Sequence, residues 1–372
     1  MKRTLTVLSP PLQQVRRTRV RFGKTTLAYF GGCDYFRLSS HPAILRAMKS
    51  GLRKYGLTVA ASRSTTGNHE LYERLEASLA QFFRAPRAVL LSSGYLGNIA
   101  VAQVLAGNCS YALLDERAHA SLVDAARFLE CPVIQFKHRD VGDVARILKG
   151  LGQEARPILL SDGLFSHDGS IAPLKEYLNV LPGDGLILLD DAHAAGLLGK
   201  TGKGTIEHAG VNRRQFIQTI ALSKAFGVYG GAVLCSEDLR NQIRAKSRLF
   251  NGNTPLPLPL ASAALKAVQI LSSDKSLRTR LFKNTARVQS ALRSMGFPIV
   301  EHPSPIFALV PSHPAQVPRW KRQFVANGIF PSFIKYPGGP QGGYFRFALS
   351  SEHTQEEIDA LIQAFQELSA RQ

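Results

Sequence analysis

Between residues 86 and 235 the chain repeats one pattern: a short apolar run closed by a polar residue, then a helical stretch, then another run. The runs are "RAVLLSS", "YALLDE", "CPVIQF", "RPILLSD", "GLILLDD", "IQTIALS" and "GAVLCS". Each is too short for a core helix and too uniformly apolar to leave one face in water, which is how strands covered on both faces read. The stretches between them suit the helical crossovers that parallel strands require. The pattern predicts an α/β fold, with a mainly parallel seven-stranded sheet between layers of helices. In such sheets ligands sit beyond the carboxyl ends of the strands, so the polar residues that close the runs are the first candidates for chemistry.

The flanking sequence reads differently. In "NHELYERLEASLAQFFRA" Leu71, Leu75, Leu79 and Phe82 share a helix face, with Glu70, Glu73 and Glu76 elsewhere, which reads as packing. A proline-rich turn in "NTPLPLPLASAALKAVQIL" opens a long helix. Beyond residue 280 long apolar runs thin out, and the chain finishes in "TQEEIDALIQAFQELSA". There Thr354 and Glu357 predict a capping box, and Ile358, Leu361, Ile362, Phe365 and Leu368 a core face. The expected organisation is an N-terminal arm over 1–45, a large domain over 46–275 and a smaller α+β domain over 276–372.

Several classes are set aside. No apolar run reaches membrane-spanning length, since "AVLLSSGYLGNIAVAQVLAG" is broken by Ser92, Ser93, Gly94 and Asn98. The start, with "LSPPL", suits neither a secretory signal nor a transit helix, so the cytoplasm is the expected location. Cys33, Cys109, Cys131 and Cys235 have no metal-type spacing and read as reduced thiols. "AAGLLGKT" and "TRVRFGKT" imitate a phosphate-binding loop but lack its first glycine, having Ala194 and Thr18 there. The net charge of +19 is high, yet the basic residues are spread out and lack the interleaved aromatics of an RNA-binding sheet. Lys2, Arg3, Arg16, Arg17, Arg19, Arg21 and Lys24 come with no acid among them, which reads first as a solvated segment and only then as an extended basic arm for an acidic substrate or for nucleic acid.

Four run ends carry chemistry. "LLSSGYLGN" offers Gly94 and Tyr95, where N–H groups at a helix start hold an anion and glycine lets it approach. "LLDERAHAS" offers His119; "ILLDDAHAAG" offers Asp190 and His193; "IALSKAFG" offers Lys224. An anion cradle, a strand-end carboxylate, two imidazoles and a strand-end amine are the parts needed to hold pyridoxal phosphate. A desolvated Lys224 would be neutral enough to act as a nucleophile. Asp190 would keep the ring nitrogen protonated, His193 would reach the phenolic oxygen, and His119 would stack on the ring.

With these residues in place, "DDAHAAGLLGKTGKG", "LSKAFGVYGGAVLCS", "SRSTTGNHELYERLE", "LFSHDGSIAPL" and "ERAHASL" resemble the α-oxoamine synthase family of fold-type I pyridoxal-phosphate enzymes, over residues 28–370. The resemblance implies that Lys224 binds the cofactor covalently and acts as acid and base at the substrate α-carbon. It implies that Gly94 and Tyr95 approach the phosphate and that Ser166 lies near the ring. Thr254 would reach the phosphate of a neighbouring subunit, which implies a homodimer with shared sites. Arg346, in "GGYFRFALS", would pair with the amino-acid carboxylate. The implied reaction is a decarboxylative condensation of a small amino acid with an acyl thioester of coenzyme A or an acyl carrier protein. "TTGNHELYERLE" resembles most closely the branch that uses L-alanine. Three positions depart from the family: Cys33 stands for an asparagine and Arg37 for a glycine in "CDYFRL", and Ala221 for a phosphate-binding Ser or Thr. "TVAAS" before Arg63 also replaces a glycine-rich turn.

Overall fold

The computed structural model describes residues 10–152, 154–300, 302–335 and 339–370, so Lys2 and Arg3 of the basic stretch lie outside the described residues. The chain divides into two compact units. One gathers Met1–Arg37, Ser166–Ser170 and Ser276–Gln372; the other, Leu38–Phe165 and Ile171–Lys275.

In the first unit the basic N-terminal stretch is a folded meander rather than an extended arm. Its strands β1 (Gln13–Arg16), β2 (Arg19–Phe22) and β3 (Thr25–Ala28) pair antiparallel. Val20, Leu27 and Ala28 are its buried apolar residues. Its cations find acids far along the chain: Arg17 pairs with Glu352 at 2.7 Å, and Arg19 and Thr18 both donate to Glu357, at 3.1 and 3.0 Å. Glu357 also closes the capping box with Thr354 at the head of the Gln355–Ser369 helix, as the sequence predicted. Arg37 has a φ of +51°, a left-handed backbone that favours glycine. Its buried side chain offsets that strain by donating to the Tyr29 carbonyl at 2.9 Å.

The second unit holds the large sheet: β4 (Arg87–Leu91), β5 (Tyr111–Asp115), β6 (Val133–Phe136), β7 (Pro157–Asp162), β8 (Leu186–Asp190), β9 (Phe216–Ala221) and β10 (Gly231–Cys235). Their order is β4-β10-β9-β8-β7-β5-β6, and every run singled out in the sequence is one of these strands. All pairings are parallel except the two made by β10. The reversal follows from length, because residues 222–230 are too few for a crossover and the chain must turn back as a hairpin. Alternate residues feed opposite layers: Ala112 and Leu114 of β5 join one apolar cluster and Leu113 the other.

Back in the first unit, β11 (Ile306–Leu309), β12 (Phe333–Ile334) and β13 (Tyr344–Ala348) form an antiparallel sheet in the order β11-β13-β12. Phe324, Phe347 and Phe365 make its aromatic core, with ring centres 5.3 Å apart in each pair. The described residues include no helix long and apolar enough to cross a membrane. The four cysteines are free thiols.

Glu76 is not, as the pattern suggested, set apart from the packed side of its helix. Its carboxylate is buried between Arg63 at 2.6 Å and Arg244 at 2.8 Å, and accepts the Leu90 N–H at 2.9 Å. Arg63 also lies over the Tyr72 and Phe250 rings. Removing one member of a buried ion network strands the others, so Glu76→Ala should cost about 3–5 kcal/mol. Denaturant unfolding checks this, and a loss below about 1 kcal/mol would count against a buried network.

Candidate active site

Strands β7 and β8 end side by side on two carboxylates, since Asp162 and Asp190 are register partners. Both are buried. One Asp190 oxygen accepts from Asn98 Nδ2 at 2.7 Å and from Ser121 Oγ at 3.1 Å, and the other accepts the Ala192 N–H at 3.1 Å. Asn98 is in turn held by the Thr219 hydroxyl, which donates to its Oδ1 at 2.6 Å. Asp162 accepts the His119 N–H at 2.8 Å. Burial first, and the Asp190 charge second, push the Asp162 carboxyl well above the usual carboxylate range.

His119 caps the Ala120–Ala126 helix, its Nδ1 accepting the Ser121 N–H at 3.2 Å. Burial lowers its pKa, Asp190 opposes that and Lys224 reinforces it. A neutral imidazole with an apolar face suits stacking on a flat ring. Tyr95 meets that imidazole edge-on at 6.0 Å, and its hydroxyl bonds to Asp124. What Tyr95 offers at the helix start is therefore its backbone.

The Gly94–Leu105 helix begins against the β9–β10 hairpin. A Cβ at Gly94 would lie 3.0 Å from the Ala221 Cβ and 3.2 Å from the Ile220 oxygen, and one at Gly231 would lie 2.3 Å from the Gly94 nitrogen. These positions are small because backbones cross there. Ala221 is buried in this crossing, whereas Ser223 is exposed. Half-buried Lys224 lies in the hairpin loop, closed by bonds from Leu222 N to Gly230 O, Val228 N to Leu222 O and Gly227 N to Lys224 O. Gly227 is needed where the loop passes the Leu38–Ser39 backbone: its φ is +67° and a Cβ would meet Ser39 N at 2.3 Å.

His193 is buried three residues beyond Asp190. The loop that follows is held from within: Asp191 accepts from the Thr205 N–H and hydroxyl and from Gln218 Nε2, and burial pushes its carboxyl to about 6. Glu207 fills the bend at "GKTGK", accepting the Thr201 and Lys203 N–H groups at 3.0 Å each. A loop wrapped around its own carboxylate cannot cradle a phosphate. Thr254 lines a small cavity with Ser92, Asn253 and Arg63, and Asn253 donates to Ser92 at 3.1 Å.

Arg346 and Ser166 belong to the first unit. The buried Arg346 donates from Nε to the Ser166 carbonyl at 2.6 Å, from Nη1 to the Gly32 carbonyl at 3.3 Å and from Nη2 to Cys33 Sγ at 3.7 Å. Ser166 thus orients the arginine through its main chain. Arg346 also borders a cavity of about 680 Å³ walled by Phe22, Tyr29, Phe330 and Phe333, with Lys321 and Arg322 on its lining.

Sequence reasoning missed Asn98, Ser121, Asp162 and Thr219. A signal existed for two of them: Asn98 interrupts an otherwise apolar helix, and Thr219 sits inside an apolar strand. Asp162 closes the run "RPILLSD", but only sheet order reveals that it neighbours Asp190.

The parts fit pyridoxal phosphate. There is a buried strand-end carboxylate with a second carboxyl pushed toward its neutral form beside it, a neutral imidazole, a helix start cleared by Gly94 and a strand-end amine. A family model described as "Aminotransferase class I and II" matches residues 31–365. The 8-amino-7-oxononanoate synthase of Thioalkalivibrio sulfidiphilus is 33% identical over 345 residues, 92% of this chain and 88% of its own. That of Thermoanaerobacter pseudethanolicus is 32% identical over 338 residues, 90% and 86% of the two chains. Among solved structures, the serine palmitoyltransferase of S. paucimobilis with a bound PLP-myriocin aldimine is similar at a TM-score of 0.90 and 26% identity, over 97% of this chain and 92% of that one. The 8-amino-7-oxononanoate synthase of Francisella tularensis is similar at a TM-score of 0.80 and 26% identity, over 93% and 98%.

Proposed function

We propose that this chain, which belongs to the aminotransferase class I and II family in its α-oxoamine synthase branch, joins L-alanine to a pimeloyl thioester, of coenzyme A or an acyl carrier protein, as 8-amino-7-oxononanoate synthases do in biotin biosynthesis. It is a pyridoxal-phosphate-dependent acyltransferase. The observation that carries the reading is the strand-end carboxylate Asp190, fixed by Asn98 and Ser121 on the sheet whose β9–β10 hairpin presents Lys224.

Pyridoxal phosphate supplies, when bound, an electron sink for charge developing at the substrate α-carbon. Asp190 would hold the proton on its ring nitrogen, His119 would stack on its face, His193 would reach its phenolic oxygen and Ser166 would serve near its ring. The helix start at Gly94 and Tyr95 would receive its phosphate. Lys224 would hold it covalently and serve as acid and base at the α-carbon. Arg346 takes the amino-acid carboxylate, for which a buried guanidinium is suited. The aromatic cavity beside it suits an aliphatic acyl chain, and Lys321 and Arg322 suit an acidic end on that chain. Two copies would share sites through Thr254, in the cytoplasm, and the +19 charge would steer anionic thioesters to them.

The likeness to serine palmitoyltransferase supports a second reading, serine with a longer acyl chain. A third branch, 2-amino-3-ketobutyrate CoA ligase, would use glycine. Adding glycine, L-alanine and L-serine singly to the cofactor-loaded protein and recording the visible spectrum distinguishes them; acyl thioesters are then supplied and the product weighed. The expected outcome is a shift with L-alanine and thiol release with a pimeloyl thioester, without an α-keto acid. Dependence on an α-keto acid would instead mean an aminotransferase, and a colourless protein unchanged by pyridoxal phosphate a non-catalytic homologue.

One residue sets an acid limit on the first unit. His353 is buried, its Nδ1 accepting the Ser350 N–H at 3.0 Å while Nε2 faces the Tyr29 carbonyl at 3.1 Å, and its ring lies 4.1 Å from that of Phe30. These contacts fit only the neutral ring, and burial, helped by Arg37, lowers its pKa to about 3. A depressed folded pKa gives stability that is complete above the unfolded value of about 6.5 and lost as pH falls toward 3. His353→Gln should therefore flatten the fall in unfolding free energy between pH 6.5 and 4, by up to about 1.4 kcal/mol per pH unit. Parallel curves for the two proteins would refute this.

A further inference from the structure

Among the described residues Arg346 makes no ion pair. Its nitrogens are met by two main-chain carbonyls, one sulfur and the Tyr35 hydroxyl, and the groups that favour its charge are Cys33, Tyr35 and Tyr344. A buried cation without a carboxylate is costly unless a ligand supplies one. The first three of these acceptors differ in kind. The Ser166 and Gly32 carbonyls are fixed by the backbone, whereas the Cys33 thiol can leave by rotating about one bond. Sulfur is also the weakest acceptor of the three, and its 3.7 Å contact gives little hold on Nη2.

We propose that Cys33 is a placeholder on Arg346: its thiol rests against Nη2 until the amino-acid carboxylate arrives and takes that nitrogen in its stead. The proposal rests on Arg346 being the carboxylate anchor. A weak, soft contact is exchanged for a charge-assisted one, and the released thiol tolerates apolar surroundings, so no costly orphan is left behind. Tyr35, fully buried, hydrogen bonds to the thiol as well as to the guanidinium, so the thiol keeps a partner when it turns away from Arg346. Cys33 thereby acts as a positioning residue that sets how readily Arg346 is handed to substrate. An asparagine there, as in relatives, presents harder polar atoms and a different exchange.

Alkylation of the cofactor-loaded protein with N-ethylmaleimide, followed by peptide mass mapping, tests this. The other cysteines serve as references, because burial pushes the Cys109 thiol to about 11 and the Cys235 thiol to about 12, and raises Cys131. Cys33 should react first, and a saturating mixture of glycine, L-alanine and L-serine should slow it about tenfold. In Arg346→Lys the mixture should no longer slow it. Cys33→Ser, with a harder acceptor against the guanidinium, should raise the amino-acid KM about 3–10-fold while kcat stays within twofold; a structural role would move both. If the mixture shifts the visible spectrum of the wild type but not of Arg346→Lys, and Cys33 labels at an unchanged rate, the placeholder is overturned and the anchor stands. If the mixture shifts both spectra alike, or neither, the anchor itself is wrong.

Discussion

Lys224→Ala is expected to lower turnover by at least about 10⁴-fold, because in the proposed mechanism it removes both the cofactor's covalent anchor and the group that moves the α-proton. The protein should still fold. The loop that carries Lys224 is closed by backbone bonds at Leu222, Gly227 and Val228, none of which involves the side chain. Lys224→Arg is the matching control: it keeps a cation in the loop but cannot become a neutral nucleophile. Both variants should lose turnover alike, while Lys224→Arg keeps His119 beside a positive charge. Steady-state thiol release measures the effect, and turnover within tenfold of wild type in Lys224→Ala would refute the mechanism.

Asp190→Asn should be the second severe change, a loss of about 10²–10⁴-fold in kcat. An amide cannot stabilise a protonated ring nitrogen as a carboxylate does. It also cannot satisfy its surroundings, since donors approach both Asp190 oxygens, from Asn98 and Ser121 on one side and the Ala192 N–H on the other. One of them must face an NH₂ group, at about 1–3 kcal/mol of stability. The change further removes the charge that opposes the lowering of the His119 pKa, so that imidazole should titrate at still lower pH. The visible spectrum of the loaded protein and its unfolding curve report the two losses separately. Wild-type kcat together with a wild-type spectrum would remove Asp190 from the cofactor's side.

The seven strands of the large sheet were legible because each is a short, mostly apolar run; Asp190 closes one of them and Lys224 follows another by three residues. What could not be read depends on which strand lies beside which. Thr219 holds Asn98, and Asn98 holds Asp190, only because β9 and β8 are neighbours and the Gly94–Leu105 helix crosses them. Glu76 was misread for another reason. It shares the helix stripe of Tyr72, Leu79 and Phe83, but a charge on an apolar stripe is taken for an edge residue unless its cationic partners are known to converge on it. The N-terminal meander was hidden by its composition: β1 is wholly exposed and its cations meet acids more than three hundred residues later.

The crossing of Gly94, Ala221 and Gly231 acts as a ruler. The helix start lies directly on the two strands whose connecting loop carries Lys224, so amine and anion seat share one rigid mount. The spacing between them is then set by main-chain contact and hardly by side-chain choice. In the proposed mechanism, residues around the substrate could then vary without resetting the distance between Lys224 and the helix start.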